Sequence, residues 1–156
     1  MNRLITILLA LLLLAGFALA ETTVGENIEA WLNEEDFEVV TYDDSPDTWY
    51  ISTEGHNIGA VPCIIYLSDG FLCFRSELVT IPENNHGDLV SLTRELLDIG
   101  FRNYLVKAVI NDSNGVEIEA EFPAGDLSRQ DFVDAVWLVL NTADAEYPQI
   151  IKYVYN

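Results

Sequence analysis

The sequence predicts a two-layer α+β domain, in which helices pack on an antiparallel sheet of about five to six strands. Three observations predict this fold. Apolar residues recur at helical spacing in three segments, several other runs alternate in polarity, and short turns rich in Gly, Asp and Asn join neighbouring runs. Strands joined by short turns pair antiparallel, and helices on one side of such a sheet bury its apolar face. The expected order of elements is α-β-β-β-α-β-β-α.

The first half of the chain supplies one helix and most of the strands. The helix is predicted near Glu26–Asp36, where Ile28, Trp31 and Leu32 form one apolar stripe. Ser68-Asp69-Gly70 predicts a tight hairpin between the last two strands of this half, since Gly70 is free to adopt a positive φ. The strand-like runs are, in order, Phe37–Tyr42, Thr48–Thr53, Val61–Leu67 and Phe71–Leu78.

The second half contains two more helices and a second hairpin. A helix near Asp88–Ile99 is predicted to end at Gly100, with a buried stripe of Leu89, Leu92, Leu96 and Ile99. The last helix begins at Ser128, with Asp131 as the partner in a capping box, and we expect Pro148 to interrupt it. The hairpin lies between these helices, and its strands are Tyr104–Ile110 and Val116–Phe122, with Glu117, Glu119 and Glu121 on a face exposed to water.

The first 20 residues have the pattern of a secretory signal peptide. Arg3 gives a positive start, Leu4–Leu14 is apolar apart from Thr6, and Ala18-Leu19-Ala20 fits the site that a signal peptidase cleaves. An uncleaved membrane anchor is the alternative, because the apolar stretch is just long enough to span a bilayer. We expect cleavage after Ala20, which leaves 21–156 as a single domain in the periplasm or secreted to the medium.

The charge of the mature chain excludes several kinds of partner. Removal of Arg3 leaves six Lys and Arg side chains against 26 Asp and Glu, a net charge of −20. Such a field repels nucleic-acid phosphates and anionic lipid, so we expect neither nucleic acid nor membrane binding after signal cleavage. A basic protein partner or simple solubility is compatible with it.

Two cysteines and a few aromatic residues are the candidate site residues. If Leu67 faces Phe71, Cys63 and Cys73 are diagonal neighbours on one face, whereas a register slip places them directly opposite, within reach of a disulfide. The alternative is that both are small buried thiols. Trp49, Tyr50 and Tyr66 lie in strands, where they either pack in the core or anchor a peptide or another copy of the chain.

We find no constellation that predicts catalysis, a cofactor or a metal. His56 and His86 lie in separate loop-like stretches, and no nucleophile–base motif surrounds them. With 26 acidic residues, two neighbouring carboxylates are expected by chance and do not indicate acid–base chemistry. The sequence therefore favours a protein that is not an enzyme.

The chain resembles the YbjN-domain family, whose fold is similar to that of type III secretion chaperones. The resemblance rests on Trp31-Leu32 followed by Phe37-Glu38-Val39, on the Cys63–Arg75 hairpin, and on later residues. These later residues are Leu92, Tyr104, Asn111, Phe132, Trp137 and Asn141. The resemblance covers most of residues 26–145 and implies a non-enzymatic domain that binds a partner polypeptide or a second copy.

From these observations we expect a periplasmic protein-binding or chaperone-like module. A small periplasmic hydrolase is the first alternative, and it requires a pocket where His56 or His86 meets a cysteine or a carboxylate. A structural or stress-linked protein of the envelope is the second alternative.

Overall fold

A computed structural model describes residues 27–42, 44–83 and 88–155 of the chain. The first helix, α1, occupies 27–34 within this part. The other helices are α2 (Leu89–Arg102) and α3 (Arg129–Tyr155), with a short 3₁₀ turn at Ala124–Asp126 before α3. The strands are β1 (Val40–Tyr42), β2 (Ser45–Glu54), β3 (Ala60–Ser68), β4 (Phe71–Thr80), β5 (Lys107–Ile110) and β6 (Gly115–Pro123).

The six strands form one open antiparallel sheet in the order β1-β2-β3-β4-β6-β5. Four strands precede α2, because the strand-like run after α1 contributes the short edge strand β1. Strand β6 pairs with β4 along most of its length, so the second hairpin joins the sheet beside the first. The predicted α+β class and the antiparallel sheet are confirmed.

The helices cover one face of the sheet and close a continuous apolar core. Ile28 and Leu32 of α1 are buried, and Trp31 packs on Phe132 of α3 with 5.4 Å between the ring centroids. Helix α3 crosses β3, β4 and β6, whereas α2 lies against β5 and α3. The strand residues that alternate toward the helices are buried, among them Trp49, Ile51, Cys63, Ile65, Leu72, Phe74, Ile118 and Ala120.

The other face of the sheet carries no helix of the described chain, yet part of it is buried. Glu117 and Glu119, predicted to be exposed to water, are both buried. The reason is Arg75 of the neighbouring strand, whose Nε lies 3.2 Å from Glu117 Oε2 and 3.0 Å from Glu119 Oε1. The alternation of β6 is as predicted, but the cross-strand arginine covers two of its glutamates.

Side chains define the ends of α2 and α3. Asp88 caps α2 by accepting a hydrogen bond from the backbone N–H of Ser91 at 2.9 Å, and Asn103 closes the other end through its N–H to the Ile99 carbonyl. The predicted end at Gly100 is therefore wrong, because the helix continues to Arg102. Ser128 and Asp131 form the predicted capping box of α3.

The predicted signal peptide lies outside the described residues, as does His86. Within the described ranges, no helix combines the length and the apolar composition needed to cross a bilayer.

Candidate functional site

Helix α2 has two apolar faces, and only one of them contacts the core. Leu92, Leu96 and Ile99 are buried, as predicted, while Leu89 at the start of the same helix is exposed. An ordinary surface helix of a globular domain carries charged or polar residues opposite its buried stripe. In α2 the opposite side is also apolar.

The second apolar surface consists of Val90, Leu97, Phe101, Tyr104 and Leu105, which we call the outer α2 face. These side chains are between 61% and 89% exposed. Val90 and Leu97 are spaced by seven residues, and Phe101 follows Leu97 by four, a spacing that aligns side chains along one side of a helix. Tyr104 and Leu105 follow the end of α2 at Arg102. No described residue covers this surface.

A shallow depression of about 450 Å³ lies at the beginning of this face. It is lined by Leu89, Val90, Thr93, Arg94 and Leu97. Contiguous exposed apolar surface of this kind marks an interaction site more often than a freely solvated one.

The outer α2 face is less acidic than the chain as a whole. Residues 89–105 contain two of the six cations of the predicted mature chain, Arg94 and Arg102, and two acids, Glu95 and Asp98. Arg102 Nη2 lies 2.9 Å from both Glu95 Oε1 and a carboxylate oxygen of Glu146 in α3. Its hydrogen bond to Glu95 raises the pKa of Arg102, so its charge is fixed and the end of α2 is tied to α3.

Just after the end of α2, the backbone of Leu105 adopts a strained conformation. Its φ of 67° lies in the left-handed region, which a branched side chain adopts at a cost of about 1–2 kcal/mol. Its side chain points into solvent instead of the core. A strained, exposed leucine indicates a requirement other than the stability of the isolated domain.

The three aromatic residues predicted to form an interface do not all lie on the same face of the sheet. Trp49 belongs to the core, where it is 3% exposed. Tyr50 and Tyr66 lie on the helix-free face, Tyr50 exposed and Tyr66 partly buried. The Tyr66 hydroxyl accepts a hydrogen bond from Arg75 Nη2 at 2.9 Å, and burial raises the pKa of this tyrosine.

The two cysteines lie on opposite faces of the sheet, and both thiols are free. Asp69 and Gly70 both have positive φ, so they form a two-residue turn in which Ser68 pairs with Phe71 and Tyr66 with Cys73. In contrast to both predicted registers, Cys63 points into the core and Cys73 away from it. The two side chains therefore cannot approach, and the hairpin contains no cross-strand disulfide.

The residues that a nucleophilic enzyme would require are not brought together in the described chain. His56 is exposed in the β2–β3 loop, Cys63 is enclosed by the core, and burial raises the pKa of the Cys63 thiol to about 12. Burial also raises the pKa of Cys73. Among residues 27–42, 44–83 and 88–155, no group of three or more His, Cys, Asp or Glu side chains is arranged to hold a metal ion.

No protein-family profile matches the chain, and no curated protein sequence matches it. The fold is similar to solved structures of type III secretion chaperone complexes. One is the heterodimeric ExoU–SpcU complex from the type III secretion system of Pseudomonas aeruginosa, with a TM-score of 0.54 and 16% identity over 81% of this chain and 97% of that chain. Another is the ExsC–ExsE complex, with a TM-score of 0.54 and 12% identity over 83% of this chain and 94% of that chain. The chain thus has a type III secretion chaperone-like fold.

Proposed function

We propose that this protein is a non-enzymatic, chaperone-like module of the periplasm that binds other polypeptides, an exported relative of the YbjN-domain proteins. The observation that carries the proposal is the large apolar side chains that the described residues leave exposed, on the outer α2 face and on the sheet. The solved structures of similar fold are complexes of two proteins, which supports a binding role for this fold. The signal-peptide pattern at residues 1–20 supports the location.

We further propose that a second copy of the chain covers the outer α2 face. A surface used by two identical copies must be self-complementary, and an apolar stripe with coiled-coil spacing can pack on its own symmetry mate. The charge distribution supports the same occupant. Two copies with a net charge of −20 repel each other less where residues 89–105 meet, because this segment carries as many cations as acids.

The oligomeric state of residues 21–156 tests this association. Sedimentation equilibrium of the mature protein should give a dimer at micromolar concentration. Phe101→Glu should weaken the dimer at least tenfold, since it places a charge in the centre of the buried patch. Tyr155→Glu is the matched control, because Tyr155 is also exposed but lies at the end of α3, and its dimerisation should be unchanged. A mature protein that stays monomeric at 0.1 mM or above, roughly a hundred times the expected range, would reject the dimer.

The location has its own test. Fractionation of expressing cells followed by N-terminal sequencing should recover a chain that begins at Glu21 in the periplasmic fraction. Recovery of the intact chain from Met1 in the cytosol would contradict the proposed location but would leave the binding surface unaffected.

A further inference from the structure

A second uncovered surface lies on the helix-free face of the sheet. One row of directly paired residues crosses all six strands: Val40, Tyr50, Ile64, Arg75, Glu119 and Lys107. Its first half is apolar and its second half is charged. With strands spaced by about 4.8 Å, the row is about 24 Å long, which matches about seven residues of extended chain.

The apolar half of this face leaves large apolar side chains exposed to water. Val40 is nearly half exposed, and Tyr50 is 36% exposed. Phe71 is as exposed as Val40 but lies at the start of β4, four residues from Arg75. Tyr66 lies two residues from Ile64 on the same face and extends the patch toward Phe71. The outward face of an antiparallel sheet normally carries polar side chains, so an aromatic and aliphatic patch here indicates a contact surface.

The charged half has an excess of carboxylates. Glu77, Glu117, Glu119 and Glu121 all point to this face, against Arg75 and Lys107. Lys107 Nζ lies 2.8 Å from Glu121 and 3.3 Å from Glu119, so the two cations are already engaged. The Glu117 side chain is almost fully buried, yet its Oε2 accepts no hydrogen bond from any described residue.

We propose that the helix-free face binds an extended segment of a partner protein that has apolar side chains at one end and Lys or Arg at the other. The apolar end lies across β1, β2 and β3, and the cationic end lies over the glutamates of β4 and β6. The negative charge of this half and of the whole chain excludes phosphate-bearing ligands. This site is separate from the outer α2 face, so peptide binding and dimerisation can fail independently.

A pair of synthetic peptides tests the proposal on the mature protein. The first is Lys-Lys-Lys-Ser-Val-Phe-Val, and the second replaces its three lysines with glutamates. By fluorescence anisotropy the first should bind, with affinity falling as NaCl rises from about 50 to about 300 mM, and the second should not. Amide shifts in ¹H–¹⁵N NMR should cluster on β2, β3, β4 and β6.

Substitutions at exposed positions make the test specific. Val40→Ser and the pair Glu77→Gln with Glu121→Gln should each weaken the lysine peptide by about two- to fivefold, the range for exposed contacts. Phe101→Ser on the outer α2 face should leave this affinity unchanged. Equal binding of both peptides, amide shifts confined to α2, or no binding at peptide concentrations of about 1 mM would each overturn the proposal.

Discussion

Asn57 Nδ2 donates a hydrogen bond of 3.0 Å to the main-chain carbonyl of Asp144, the acceptor that Pro148 leaves without a helical donor. In a regular helix the N–H of residue 148 would bond to this oxygen, but proline has no N–H. The Asp144 carboxylate in turn accepts the backbone N–H groups of His56, Asn57 and Ile58 at 2.8–3.0 Å. The β2–β3 loop thus docks on α3 at the point where the proline removes a hydrogen bond of the helix.

This relationship predicts a measurable coupling between Asn57 and Pro148. Asn57→Ala should lower the free energy of unfolding by about 1 kcal/mol, because the Asp144 carbonyl loses its donor. In a Pro148→Ala background the same change should cost less, since the backbone N–H restored by that substitution can bond to the carbonyl. Urea denaturation of the four proteins gives the coupling energy, expected to be about 0.5–1 kcal/mol.

Gln149→Ala, at an exposed α3 position next to Pro148, is the control background in which Asn57→Ala should keep its full cost. Equal costs of Asn57→Ala in the presence and absence of Pro148 would show that the loop does not compensate for the proline.

The carboxylate of Asp144 makes part of the stability pH-dependent. Burial alone would raise the pKa of this group, but the N–H donors of the loop outweigh it and hold the pKa below its ordinary value. The contribution is therefore complete above the unfolded pKa of about 3.9 and is lost as pH falls through the lower folded value. Asp144→Asn should cost about 1–2 kcal/mol at pH 7, and the difference from wild type should shrink below about pH 4.

Asp134→Asn, on the exposed side of α3, is the matched control and should show no such trend. A difference between Asp144→Asn and wild type that persists unchanged at about pH 2.5 would contradict the role of the charged carboxylate. Gly55 belongs to the same contact, because a methyl group there would lie 2.5 Å from Asp144 Oδ1 and from Val61.

Periodicity predicted the helices and the sheet, but the ends of elements depended on contacts distant in sequence. Pro148 was expected to interrupt α3, and the prediction was wrong because Asn57 satisfies the freed carbonyl from another element. Gly100 was expected to end α2, yet the helix continues until Asn103 caps it and contacts Glu146 at 3.2 Å. No local pattern contains these partners.

The candidate sites differ in how far the sequence could have revealed them. The Asp69-Gly70 dipeptide is itself a strong signal for a two-residue turn, so the true register, with the cysteines on opposite faces, was available from the sequence. The second stripe of α2, with Leu97 and Phe101, was likewise visible, but a helix with one complete buried stripe gives no reason to search for another. The burial of Glu117 under Arg75 required the order of strands in the sheet, which spacing alone does not determine.

Arg75 should be the ionic side chain whose loss destabilises the sheet most. Arg75→Leu leaves Glu117 and Glu119 buried without their nearest cation. We expect the free energy of unfolding to fall by about 2–4 kcal/mol at pH 7. This is less than the cost of breaking a fully buried ion pair, because Arg75 is partly exposed. Burial already raises the pKa of Glu117 in the wild type. A carboxyl with a raised folded pKa stabilises the fold fully below its unfolded pKa, and this contribution is lost as pH rises through the folded value.

The variant should therefore regain stability on acidification from about pH 7 to about pH 5, which thermal unfolding across this range would measure. Arg129→Leu is the comparison, because Arg129 pairs with Glu34 and Glu35 at a more exposed site. It should cost at most about 1 kcal/mol and gain nothing on the same acidification. If both variants responded alike to pH, burial of the Arg75 cluster would not be the cause.

Leu105 should show opposite effects on stability and on association. Leu105→Gly and Leu105→Asn both relieve the left-handed strain, so each should raise the free energy of unfolding by about 0.5–1 kcal/mol. Both also remove an exposed apolar side chain from the outer α2 face and should weaken the proposed dimer. Leu97→Asn separates the two effects, because Leu97 has helical backbone and its replacement should weaken association without any gain in stability. The stability is measured on the monomer at low protein concentration. If Leu105→Gly lowered the free energy of unfolding there, the Leu105 side chain would stabilise the fold itself. Its strained backbone would then not indicate a role in association.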